Sequence, residues 1–70
     1  MPSGVIAAIE YQADGQVLQV TFVSGLVYHY LEVPEAIYAG LNNAWSKGRY
    51  FNRFIKDRYA ARRVQKEDDH

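Results

Sequence analysis

Cysteine is absent from the 70-residue chain, so no disulfide and no thiolate metal site can staple it, and the fold must rest on packing alone. A reducing cytoplasm fits that composition. Histidine is nearly as scarce: His29 and His70 make no nucleophile and base pair and no cluster with metal-ligand spacing. Glu10, Asp14, Glu32 and Glu35 stand at turns and element ends rather than paired as catalytic acid and base. What remains is the chemistry of a non-enzymatic module with no metal or other cofactor. Long apolar runs are missing as well. No stretch approaches the ~20 apolar residues of a membrane span, and "MPSGVIAAIEY" lacks the basic n-region of a leader. The expectation is one soluble, unprocessed, cytoplasmic domain that does not enter a membrane, with a monomer as the simplest state. A chain this short buries only ~60% of the surface its unfolded form exposes, so every large apolar residue counts.

The most informative shortage is of positive charge. Residues 1–46 contain no lysine or arginine; all eight lie between Lys47 and Lys66, where Asp57 is the one acid, so that segment carries a net charge of plus seven. The whole-chain net charge of +0 conceals this, because the first part and the closing "EDDH" are acidic. Segregation of this kind points to an anionic partner for one segment; a solvated helix face with a charged tail is the plainer alternative.

What is present in the first half is strand-like. "VIAAIEY" (5–11) is an apolar run, "ADG" (13–15) marks a turn, and "QVLQVTFV" (16–23) is rich in β-branched and aromatic residues. "SG" (24–25) leads into "LVYHYLE" (26–32), completing three antiparallel strands. Parity fixes the faces. A two-residue loop at Ser24 and Gly25 would mix apolar and polar residues across the hairpin. A three-residue loop, Val23 to Gly25 with Gly25 left-handed, pairs Phe22 with Leu26, Val20 with Tyr28 and Leu18 with Tyr30 on one apolar face. Tyr28 and Tyr30 are then core residues rather than a stacking platform. Val17, Gln19, Thr21, Val27, His29 and Leu31 fall on the opposite, solvated face.

From Pro34 the period changes to a helical one. Pro34 suits the first helical position and Glu35 the positive helix start; Val33, Ile37, Tyr38, Leu41, Ala44 and Trp45 fall in one stripe, Gly40 weakens the helix, and Asn42 and Asn43 end it. Ser46 is a natural N-cap for a second helix, "KGRYFNRFIKDRY", with Tyr50, Phe51, Phe54 and Ile55 on one side and Arg49, Arg53 and Lys56 opposite. Arg58 wheels onto the apolar side, so either the helix ends there or the Arg58 stem snorkels along the core. The expected fold is therefore α+β, a three-stranded antiparallel sheet followed by two short helices packed on one face (βββαα), over residues 1–64. "AARRVQKEDDH" is expected to be frayed, with 65–70 a charged, disordered tail.

A site is legible around the second helix start. "WSKGR" (45–49) offers a hydroxyl, a small glycine and two cations beside free backbone amides, a workable phosphate site; an ordinary serine cap with Gly48 packed on a neighbour is the structural alternative. Arg49, Arg53 and Lys56 continue the positive surface, with Arg62, Arg63 and Lys66 beyond. The candidate nucleic-acid-binding residues are thus Ser46, Lys47, Gly48, Arg49, Tyr50, Arg53, Lys56, Arg62 and Arg63, with Tyr50 as the first choice to stack on a base. Trp45 is second, since its stripe position favours the core. RNA or another polyanion is the expected partner. The alternative is a protein partner in translation or transcription, docking on the basic helix or on the open face at Val27, His29 and Leu31.

With these elements placed, the chain resembles the KTSC domain, named for the C-terminus of some lysyl-tRNA synthetases and found also as a small bacterial or phage protein. The likeness runs from about Val5 to Val64 and rests on the Tyr28-any-Tyr30 centre and on Ser46, Gly48, Tyr50, Phe51 and Asn52. The resemblance implies a compact domain in a nucleic-acid or translation context and supplies no active site. Asn52 belongs to the motif and is expected to make a local hydrogen bond.

Overall fold

The computed structural model describes residues 6–64. Strands β1 (Ile6–Gln12), β2 (Val17–Phe22) and β3 (Val27–Tyr30) are followed by helices α1 (Glu35–Asn43) and α2 (Lys47–Phe54) and by a short strand β4 (Ala61–Arg63). The sheet is antiparallel with strand order β1-β2-β3-β4. The α+β expectation of strands followed by two helices holds, with one strand added.

The three-residue hairpin is present. Leu18 faces Tyr30 and Val20 faces Tyr28. The Gly25 amide donates to the Phe22 carbonyl (2.8 Å) and the Phe22 amide to Leu26 (2.9 Å). Gly25 has φ 98°, a left-handed conformation that glycine adopts without a Cβ clash. β1 solves a parity problem of its own. Ile6 and Ile9 are three residues apart and would lie on opposite faces of a regular strand, yet Ile6 pairs with Phe22 and Ile9 with Val20, because the register shifts between Ile6 and Ala8.

Leu18, Val20, Phe22 and Tyr30 from the sheet join Leu41, Phe51 and Ile55 from the helical layer in a single buried core, with Leu26 and Tyr28 packed at its margin. Phe51 is edge-on to both Phe22 and Tyr30, at 5.5 Å from each ring. Val33 is buried although it precedes α1. Its amide donates to the Gln16 carbonyl (2.8 Å), and its carbonyl accepts from the Tyr11 hydroxyl (2.6 Å). The Tyr11 and Tyr38 rings stack at 4.8 Å, nearly parallel, so the end of β1 is fastened to α1. Burial, and secondarily the Glu35 carboxylate, raise the pKa of the Tyr11 phenol.

Three expectations about the helical half are corrected. Pro34 is the N-cap, one residue before α1, with extended ψ 150°. The apolar stripe of α1 stops at Leu41: Ala44 is extended, so the helical phase no longer applies beyond Asn43, and Trp45 is 101% exposed instead of core. The segment expected to fray contains β4, whose Arg63, Arg62 and Ala61 pair with Tyr28, His29 and Tyr30. Its side chains are exposed, so backbone pairing with the edge of β3 carries it; residues 65–70, including Lys66, lie outside the described residues.

Candidate nucleic-acid interface

α2 is built by its cap and its two-sided pattern. The Ser46 hydroxyl accepts from the Arg49 amide (3.2 Å) and the Ser46 carbonyl from the Tyr50 amide (3.1 Å). The Ser46 oxygen is thus first a helix cap, and among the first-turn amides those of Lys47 and Gly48 are left for water or a ligand. Phe51 and then Ile55 are fully buried. Opposite them Arg49, Asn52 and Arg53 are exposed. These stand at the i, i+3 and i+4 spacing of one helix face, with Lys56 half-buried in the turn beyond the helix end.

That outward face carries two cations, Arg49 and Arg53, and no acid. Among the described residues, no ion pair joins Arg49 or Arg53 to a carboxylate. Arg53 holds its guanidinium 5.7 Å over the ring of Phe54, which is itself 42% exposed. Asn52 makes no side-chain hydrogen bond to another described residue, contrary to the expected local one. With Lys56, Asp57 and Arg58 it lines a shallow polar hollow where the helix ends.

The remaining predicted residues are placed differently. Lys47 and Gly48 are half-buried; Lys47 is about 160° around the helix from Arg49 and does not join the outward face. Tyr50 is half-buried, its ring 4.7 Å from Phe54 and pressed against Gly40, so its faces are largely committed to packing. The helix ends at Phe54, which settles the choice at Arg58: its Nε donates to the Arg53 carbonyl (3.0 Å) at the helix end, and its side chain is exposed. Lys56 lies in the closing turn, where its amide and that of Ile55 both reach the Phe51 carbonyl and Asp57 takes a left-handed φ of 63°. Strand alternation splits Arg62 from Arg63. Arg63 shares the core-side face with Tyr28, whereas Arg62 stands beside His29 on the open face, so the two do not extend one stripe.

The open face has its own arrangement. Glu10 pairs with Gln19, Gln19 with His29 and His29 with Arg62, a polar row across all four strands. His29 Nε2 and Gln19 Oε1 are 2.9 Å apart, at one side of a small hollow lined also by Glu10, Tyr11, Gln12 and Val17.

Trp45, second among the stacking candidates because its stripe position favoured the core, is the residue the sequence misplaced. The signal was there: Asn42 and Asn43 mark the end of α1, and a residue beyond that end has left the wheel.

The family model of the KTSC domain matches residues 2–59. This chain belongs to the KTSC domain family. The KTSC domain is 35% identical to a KTSC domain protein of Yersinia pestis whose crystal structure superposes with a TM-score of 0.83, covering 93% of this chain and 92% of that one. It is 44% identical over 59 residues to a lysine–tRNA ligase of Nostoc punctiforme, covering 83% of this chain but 10% of the ligase. The chain thus spans about a tenth of the ligases it matches. A protein of Tsukamurella paurometabola matches at 37% over 59 residues, covering 84% of this chain and 88% of that protein. Among the described residues, no helix is long and apolar enough to cross a membrane, and no group of three or more His, Cys, Asp or Glu side chains is placed to hold a metal.

Proposed function

We propose that this KTSC domain is a non-catalytic RNA-binding module that holds phosphates on the outward face of α2. The observation that carries this is the composition of that face: Arg49 and Arg53 flank Asn52 with no acid among them, Lys56 and the one acid of the segment, Asp57, follow in the closing turn, and residues 1–46 contain no lysine or arginine. The relation to a segment of lysine–tRNA ligases, enzymes that handle an RNA, supports the choice of polyanion. Asn52 belongs to the family motif yet its side chain makes no hydrogen bond to another described residue, which fits a residue that serves a ligand.

Three phosphate contacts give weak binding whose log K falls by roughly 2 for each log unit of salt. A salt-titrated NMR shift map with tRNA is the test. Shifts are expected within residues 46–58, and Arg49→Glu with Arg53→Glu should abolish them without loss of fold. Unchanged binding in the double variant overturns the proposal. A protein partner is the second reading, favoured by the polar row Glu10, Gln19, His29 and Arg62 on the open face; shifts confined to that face would support it.

A further inference from the structure

Trp45 has no place in the fold. It is 101% exposed in a domain that has few large side chains to spare for its core. It is nevertheless well held. The bridge between α1 and α2 is short and extended, fixed on one side by the Ala44 amide on the Leu41 carbonyl (3.2 Å) and on the other by the Ser46 cap. The indole therefore projects from an anchored turn into water, just before the N-cap of α2 and four residues before Arg49.

We infer that Trp45 is a base-stacking residue and that the ligand of the α2 face is single-stranded RNA; this rests on the RNA-binding reading above. An aromatic ring has two faces, and the neighbours of Tyr50 occupy much of that ring, whereas both faces of Trp45 are open. Bases in a duplex have their own faces covered by their neighbours, so a projecting indole can stack only on a base that is splayed out or unpaired. Phosphate contacts alone do not distinguish strand forms. A cation four residues along the chain from an open indole supplies both halves of single-strand recognition: Arg49 for the backbone and Trp45 for the base.

Trp45 is the only tryptophan, so its emission reports the event directly. The full chain is titrated at low salt with a short single-stranded RNA and with a blunt, fully paired RNA duplex of equal length. The single strand should quench the emission and bind more tightly than the duplex. Trp45→Ala should weaken single-strand binding roughly 5- to 100-fold, the scale of one base stack, with an unchanged circular dichroism spectrum, and Trp45→Phe should recover most of the affinity. Equal binding of both forms without quenching overturns the role of Trp45 and leaves the basic face standing. Failure of both RNAs to bind overturns the two together.

Discussion

The Tyr30 ring is 6% exposed, edge-on to Phe51 and tilted against Tyr28. A phenolate there would lose its hydration. Burial first, then the neighbouring Tyr28 and the Asp57 carboxylate, push its pKa up to about 12. The unfolded chain ionises near the ordinary value of 10, so above that pH it binds fewer protons than the folded domain. Stability is then undiminished below pH 10 and lost progressively between about 10 and 12. Urea midpoints measured over that range should fall, and Tyr30→Phe should flatten the decline without removing it, because the Tyr11 phenol is shifted in the same direction. The same residue shows what parity alone can reveal. "YHY" next to a proline admits a surface platform, but the three-residue loop leaves Tyr30 nowhere to go but the core.

At the scale of the helices, Gly40 and Tyr50 form a pair that reverses a simple propensity estimate. Glycine inside α1 costs about 1 kcal/mol relative to alanine. Here a Cβ would meet the Tyr50 phenol, so the small residue lets α2 approach α1. Gly40→Ala is expected to destabilise by ~1–3 kcal/mol from overpacking, and in a Tyr50→Ala background the same change should be neutral or stabilising. A double-mutant cycle in urea measures the difference. The outward face of α2 was legible because periodicity and charge agree over Arg49 and Arg53, and so was the Ser46 cap; Lys56 was put on that face by extending the wheel past the helix end. Trp45 and Arg58 were misplaced or left open for one reason: a wheel says nothing beyond the residues where the backbone is helical, and α1 stops at Asn43 and α2 at Phe54. The Gly40 contact was invisible because it depends on how two helices cross.

In the whole molecule, the sheet is finished by a strand with no strand-like sequence. "ARR" has neither β-branched nor buried side chains, so its pairing cannot be read from pattern; it is set by the free edge of β3. The Leu31 amide donates to the Ala60 carbonyl (2.8 Å) and the Val64 amide to the Val27 carbonyl (2.8 Å), bracketing the ladder. Ending the chain after Tyr59 should lower the urea midpoint and expose the β3 amides to faster hydrogen exchange, whereas a frayed segment would change neither. β1 to β3, by contrast, were legible as elements and in the pairing of the second hairpin, since each pairs with its chain neighbour; the register shift in β1 was not. That difference has a kinetic consequence. The two hairpins close loops of a few residues, but β3 meets β4 only across the thirty residues from Leu31 to Ala60, which contain both helices. Loop-closure entropy makes this the costliest contact to form and the slowest step of the topology. The KTSC domain thus assembles as a fast three-stranded meander that waits for its helical layer, and the last three residues to pair latch that layer shut.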